Sequence, residues 1–356
     1  MTMTNKKLIS LAVTAAVLGG LAYVSSNSKK MKTPSLVGKP VLSMIDLSDV
    51  QKIEVGADGD KKLVLESADG GWRISSLFGY PADIAKIREH LLKLKDLKIG
   101  HVASGKKLDK PALVDLQNAS GKSLATLRLG EKHLRKSAGE MEQMGGDGFP
   151  DGRYVSVAGS DAVYLVKETL EAFDGDPKSW ADTQIASVPS ADITAVELSS
   201  GGQKVRMAKK DGAWSLDGLG EKEEFDTSKS YSVEGALNYL NFSTVADPAL
   251  TEEQLGMTTG AVFKATLKSG EIYTAKIGAA VQGGTDRYFK ISAAFSPVGT
   301  NATENAELAK KAESFNAKAG KWVYSIPSYN AENMSKRRAD LVKAKEEPKK
   351  EEPKPE

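Results

Sequence analysis

The chain has 356 residues, enough for about two domains. Lys and Arg number 49 against 47 Asp and Glu, a net charge of +2, and 40% of the residues are hydrophobic. That balance excludes a strongly basic nucleic-acid binder and a chain too polar to fold, and the absence of cysteine excludes disulfides, thiolate metal sites, Cys nucleophiles and an N-terminal lipid-modified Cys.

The first predicted element is the uncharged run Leu8–Val24, which follows Lys6 and Lys7. As a helix it would be about 25 Å long, at the short end of what spans a bilayer. Three readings stay open, an uncleaved signal anchor, which is favoured, a cleaved secretory signal and, least favoured, a buried helix of a soluble protein. Lys29, Lys30 and Lys32 on the far side nearly balance the positive-inside count. The layout of a short lysine-ending tail before an apolar run still predicts export. Residues 1–30 are therefore expected to be a signal anchor and its flank. The chain would be a single-pass protein of the inner (cytoplasmic) membrane, contacting lipid through Leu8 to Val24, with its folded region extracytoplasmic in the periplasm.

The next elements occur twice. Asp49-Val50-Gln51-Lys52-Ile53-Glu54-Val55 is matched by Asp192-Ile193-Thr194-Ala195-Val196-Glu197-Leu198. Each is followed by an alternating strand, Lys62–Glu66 or Lys204–Ala208, and then by a strand bearing Trp72 or Trp214. A helix is predicted after each. Ile84, Ile87, Leu91 and Leu94 share one face behind Asp83 as N-cap, and Val233, Ala236, Leu237 and Leu240 do the same after Ser232. Val102-Ala103 parallels Val245-Ala246. Hairpin strands Leu113–Gln117 with Ser123–Leu129 and Val262–Leu267 with Ile272–Ile277 follow, ending at Gly130 and Gly278. Arg153-Tyr154-Val155 parallels Arg287-Tyr288-Phe289, and the closing strands are Val163–Val166 and Trp322–Ile326.

This order predicts an α+β fold: an internal duplication of two similar α+β units, 41–175 and 190–332, after one N-terminal membrane helix. The joint begins at Asp174-Gly175-Asp176-Pro177. Two insertions break the symmetry. Ser137–Gly152 reads as a Gly- and Met-rich loop, and Asn301–Gly320 as an extra helix capped by Asn301 with Glu304. Residues 336–356 read as a disordered, solvated charged tail, with eight basic and six acidic residues and three prolines.

The membrane run, the doubled unit, Gly71-Trp72-Arg73-Ile74, Gly79-Tyr80-Pro81-Ala82-Asp83 and Val163-Tyr164-Leu165-Val166 together resemble the bacterial domain-of-unknown-function 4340 family over most of 41–290. The resemblance implies a single-span envelope protein. Some members are associated with the membrane parts of ABC-type transporters, including gliding-motility auxiliary components. It implies no catalytic residues, and the 301–320 helix and the Lys/Glu/Pro tail depart from the family pattern.

The search for chemistry assigns no catalytic, cofactor-binding or metal-binding residue. His90, His101 and His133 have no metal-helix spacing and read as exposed or half-buried. No nucleophile elbow or dinucleotide fingerprint occurs, and Thr227-Ser228-Lys229-Ser230 lacks the glycine spacing of a phosphate loop. Gly145–Gly152 lacks calcium-loop ligand spacing and reads as a hairpin tip, with Met141 and Met144 as a soft contact surface. Trp72 and Trp214 read as core anchors rather than ligand-stacking rings. The Arg153-Tyr154 and Arg287-Tyr288 pairs read as outward strand positions rather than a symmetric groove.

The expectation is a membrane-anchored interaction module with an envelope protein partner and no nucleic acid, not an enzyme. The alternative is a ligand binder with a groove between the units, and an uncharacterised hydrolase is less favoured. Paired carboxylates among the 47 acidic residues leave catalysis open.

Overall fold

A computed structural model describes residues 35–42, 45–56, 62–135 and 148–345. Strand β1 (Lys52–Gly56) alternates its apolar positions, and Ile53 and Val55 turn inward, at most 1% exposed. It pairs on one side with β2 (Leu63–Ala68) and on the other with β6 (Ala112–Gln117), so that Ile53 lies opposite both Leu65 and Leu116. Asp69-Gly70, both with positive φ, form the tight turn into β3 (Gly71–Ile74). Asp-Gly is the pair this hairpin geometry favours, because Gly accepts positive φ without strain.

β4 (Tyr80–Pro81) closes that edge, and helix α1 (Ile84–Lys95) follows. Asp83 caps the helix, its Oδ1 accepting from the Ala85 amide at 2.8 Å. Ile87, Leu91 and Leu94 are buried as the spacing predicts, but Ile84 is half exposed. β5 (His101–Val102), β7 (Ser123–Arg135), β8 (Phe149–Val157) and β9 (Tyr164–Val166) complete a nine-stranded sheet in the order β4-β3-β2-β1-β6-β7-β8-β9-β5.

The second large sheet is built from β11 (Ile193–Ser200), β12 (Gln203–Lys210), β13 (Ala213–Leu216), β16 (Thr244–Val245), β17 (Ala261–Leu267), β18 (Glu271–Ala280), β19 (Arg287–Phe295) and β20 (Tyr324–Ile326). Its order is β13-β12-β11-β17-β18-β19-β20-β16. Val196 and Leu198 face inward opposite Met207 and Val205 on one side and Ala265 and Phe263 on the other. At about 1.5–3 kcal/mol for each large apolar side chain removed from water, this face is the main driving force of the sheet. β10 (Gln184–Ala186) pairs with β15 (Leu240–Asn241).

Helix α2 (Thr227–Glu234) is capped by Asp226, not entered after Ser232. Helix α3 (Ala302–Phe315) starts at Asn301, whose Oδ1 accepts from the amides of Thr303 and Glu304, as the capping pattern predicts. A short helix α4 (Ser328–Met334) follows β20.

These findings correct the expected fold class. Among the described residues the protein is mostly antiparallel β-sheet, 39% strand against 23% helix, with no membrane-spanning helix, and is not a pair of duplicated α+β units. The physical reason lies in the lengths. The strands around β7 and β18 run to 13 and 10 residues, whereas α2 has eight, rich in poor helix formers, with one apolar residue, Val233, buried. No helix among the described residues is long and apolar enough to cross a membrane, and Leu8–Val24 lies outside the described residues.

Two further expectations change. Phe149–Gly152, expected in a loop, belongs to β8, while 137–147 lies outside the described residues. The charged tail is folded as far as Lys345. Strand β21 (Val342–Ala344) pairs with β14 (Glu223–Phe225), Leu341 is fully buried, and Arg338 donates to the Gly218 carbonyl at 2.6 Å and pairs with Glu223. Residues 346–356 lie outside the described residues.

The described chain divides into two compact units. One draws on the described residues before 46, Leu94–Pro111 and Leu127–Thr169. The other draws on Asp46–Lys93, Ala112–Thr126 and the chain from Leu170.

Candidate functional site

A strained backbone position follows β3. A single 3-10 turn, Ser75–Leu77, ends with Phe78 in the left-handed conformation, φ 57° and ψ 34°. The Phe78 amide donates to the Ser75 carbonyl and that of Gly79 to the Ile74 carbonyl, closing a reversal that sets Tyr80 opposite Ile74. Glycine or asparagine usually fills such a position, and an L side chain there costs about 1–2 kcal/mol. Phe78 nevertheless holds its ring in solvent, 43% exposed. The same combination recurs after the turn Gly235–Leu237, where Tyr239 has φ 51° and is 70% exposed.

Both residues flank one buried aromatic cluster. Tyr80, two residues after Phe78, packs edge-on against Phe242, three residues after Tyr239, at 5.2 Å between ring centroids. Trp322 lies 5.0 Å from Tyr80, and Tyr324 stacks on Phe242 at 5.5 Å. Tyr80, Phe242 and Tyr324 are buried and Trp322 is half-buried. Burial raises both tyrosine pKa values above the usual phenol value.

The Tyr80 hydroxyl donates to the Asp182 carbonyl at 3.4 Å. The Asp182 carboxylate pairs with Lys318 at 2.7 Å and accepts from the Gln184 amide at 3.1 Å. Partial burial pushes its carboxyl up, but these hydrogen bonds and the charges of Lys318 and Lys86 outweigh it and hold it below the ordinary value. Lys86 donates to the Ala181 carbonyl at 2.7 Å. Two exposed aromatic residues at strained positions thus flank, along the chain, the strands that supply a buried aromatic cluster. That arrangement suits contact with another surface, since exposed aromatic rings are typical anchors of interfaces.

The residues singled out by sequence are scattered. His90 Nε2 donates to the Ser179 carbonyl at 3.1 Å, and its ring packs edge-on at 4.7 Å from Trp180. His133 Nδ1 lies 2.6 Å from Asp151 Oδ1, and His101 is exposed on β5. No group of three or more His, Asp or Glu able to hold a metal occurs among the described residues. Thr227–Ser230 opens α2, where Asp226 accepts from the Ser228 amide. Met141 and Met144 lie outside the described residues, as do Gly145–Asp147; Gly148 precedes β8.

Trp72 and Trp214 are not core anchors. Both are half-buried, and Trp214 donates from Nε1 to Glu234 at 2.6 Å with Lys209 over its ring at 5.0 Å. On β3 and β13 the inward positions belong to Ile74 and Leu216. The core tryptophan is Trp180, fully buried, its Nε1 donating to the Ala172 carbonyl at 3.0 Å. Sequence reasoning passed over it, although Asp176-Pro177 marks the start of its turn.

Of the two arginines expected to face outward, Arg287 is exposed, whereas Arg153 is buried. Arg153 and Arg287 each donate from Nε to a glycine carbonyl at 2.9 Å, Gly130 in one sheet and Gly278 in the other. A β-bulge lies at each glycine. A Cβ on Gly130 would come within 2.6 Å of Leu108, and one on Gly278 would collide with the Leu255 carbonyl.

Comparison with known proteins adds one match. No curated protein and no solved structure matches the chain. A family model described as "Domain of unknown function (DUF4340)" matches residues 72–259, more than half of the chain, a span that contains Phe78, Tyr80, Trp180, Tyr239 and Phe242. On that match the chain belongs to the domain of unknown function family DUF4340.

Proposed function

We propose that this protein is an interaction module of the cell envelope. In this reading Leu8–Val24 holds it in the inner membrane and the folded part lies outside the cytoplasm. It works by binding rather than catalysis, contacting an envelope protein partner such as the membrane part of an ABC-type transporter. The observation that carries the binding role is the pair of exposed aromatic residues, Phe78 and Tyr239, at left-handed positions two and three residues before Tyr80 and Phe242 of the buried cluster. A backbone cost retained for an exposed apolar ring is understandable where the ring has a partner to meet. The location is supported by the lysine-flanked, uncharged run at the N-terminus.

Two experiments test this reading. Alkaline phosphatase fused after Glu356 should be active, and a reporter that fluoresces only in the cytoplasm should be dark at the same fusion point. The reverse pattern would sink the assigned orientation. Phe78→Gly and Tyr239→Gly should each leave the melting temperature unchanged or raise it, because glycine relieves the left-handed strain. Crosslinking in intact membranes should at the same time recover severalfold less of a transporter-type partner. Unchanged recovery with both substitutions would remove the aromatic surface from the interaction.

A further inference from the structure

A cavity of about 780 Å³ opens beside the bulge where β18 gives way to β19. Arg287 and Arg337 line it, with Glu332 as the acidic side chain and five hydroxyl residues, Thr259 and Ser328 among them. Neither arginine has an ion pair among the described residues, and both are exposed. The lining therefore carries a net positive charge, two arginines against Glu332, and neither arginine is ion-paired with that carboxylate.

The orientation of Arg287 is fixed on one side. Its Nε donates to the Gly278 carbonyl at 2.9 Å, which leaves the Nη edge of the planar guanidinium for another acceptor. The corresponding arginine of the nine-stranded sheet shows what fills that edge elsewhere. Arg153 makes the same Nε contact to Gly130, but its Nη1 donates to the Thr169 carbonyl at 3.3 Å and the residue is buried, 7% exposed. The chain itself supplies the acceptor at Arg153, whereas Arg287 presents its fork to an open cavity.

The glycines of the lining do not form a phosphate loop. A Cβ on Gly256 would lie 2.6 Å from the Ala279 nitrogen, and one on Gly260 would collide with the Ile277 carbonyl, so they are required by close backbone packing. Recognition falls to the side chains. A guanidinium held at one edge, a second cation and several hydroxyls suit an oxyanion. The volume and the apolar wall of Ala261, Ile277 and Ala331 leave room for more than a bare ion.

We propose that this cavity binds a small organic oxyanion, whose carboxylate or phosphate head takes the Nη edge of Arg287 and is balanced by Arg337, with its apolar body against Ala261, Ile277 and Ala331. The site is independent of the aromatic surface, since every variant below keeps Phe78 and Tyr239. Thermal melts and calorimetric titrations of the purified full chain would use benzoate and inorganic phosphate as probes, with chloride at matched ionic strength as reference. Saturable binding of either probe is expected, and the arm that saturates at lower concentration identifies the head group.

Arg287→Gln and Arg337→Gln should each weaken that binding about tenfold or more, the scale of a lost charge-assisted hydrogen bond. Arg337→Gln leaves the bulge contact intact, so it remains informative if Arg287→Gln folds poorly. Arg153→Gln should lower the melting temperature without changing probe affinity. Two results would overturn the proposal: no saturable response to either probe beyond that to chloride, or affinity unchanged in Arg337→Gln.

Discussion

Tyr273 shows how a single side chain can set a pH limit. Its hydroxyl donates to Glu271 Oε1 at 3.3 Å, and the residue is 6% exposed. Burial, then the Glu271 charge beside it, push its pKa up to about 12. The fold therefore favours the neutral phenol. This stabilisation is fully present below about pH 10, the ordinary tyrosine value, and is lost as pH rises from there to about 12. A shift of that size corresponds to about 2–3 kcal/mol. The melting temperature of the native chain should fall more steeply over that window than that of Tyr273→Phe. Parallel curves would place the phenol in a wetter setting.

At the scale of elements, the segment from Lys336 to Lys345 is the clearest case of composition misleading. Averaged over the charged run, it reads as solvated. Leu341 and Val342 break the run, and one fully buried leucine with a three-residue strand is enough to dock it. The Asp226 amide donates to the Leu341 carbonyl at 2.9 Å, and the Lys345 amide to that of Lys222 at 3.0 Å. Leu341→Ala should cost about 2–5 kcal/mol, while Lys343→Ala on the exposed side should stay within about 0.5 kcal/mol. Equal denaturation midpoints for the two variants would mean that the segment is not docked in solution. Helix α3 is tied down differently. Lys311 reaches the buried Glu271 carboxylate at 2.9 Å, and Phe315 packs edge-on against Tyr273 at 5.1 Å. The helix itself was legible from its Asn301 cap, but its partners on β18 were not.

At the scale of the whole molecule, the buried tryptophan separates sequence pattern from packing. Trp72 and Trp214 recur at matching positions, which suggests a shared core role, yet each sits on a short strand near a sheet edge and is only half covered. Trp180 occurs once and is fully buried against Phe173 and His90. Trp180→Ala should therefore cost about 3–5 kcal/mol, and Trp72→Ala or Trp214→Ala distinctly less. Chemical denaturation of the three variants would check the ranking. A larger loss at Trp72 than at Trp180 would reverse this assignment of the core.

What the sequence determined by itself was local. Alternation at Ile53–Val55 and Val196–Leu198 and the caps at Asp83 and Asn301 all depend on residues within a few positions of one another, so they are readable along the chain. The family could also be recognised, because its motifs are runs of this kind. The tertiary structure alone decided the predominance of sheet, the burial of Trp180, the meeting of Tyr80 with Phe242, the Asp182–Lys318 pair and the different fates of Arg153 and Arg287. Those outcomes depend on which faces meet. Asp182 and Lys318 are 136 positions apart, Tyr80 and Phe242 more than 150, and no periodicity along the chain encodes contacts at such separations. The exposed rings of Phe78 and Tyr239 belong with these, because local propensity places glycine or asparagine at a left-handed position and only the surrounding structure holds an aromatic residue there.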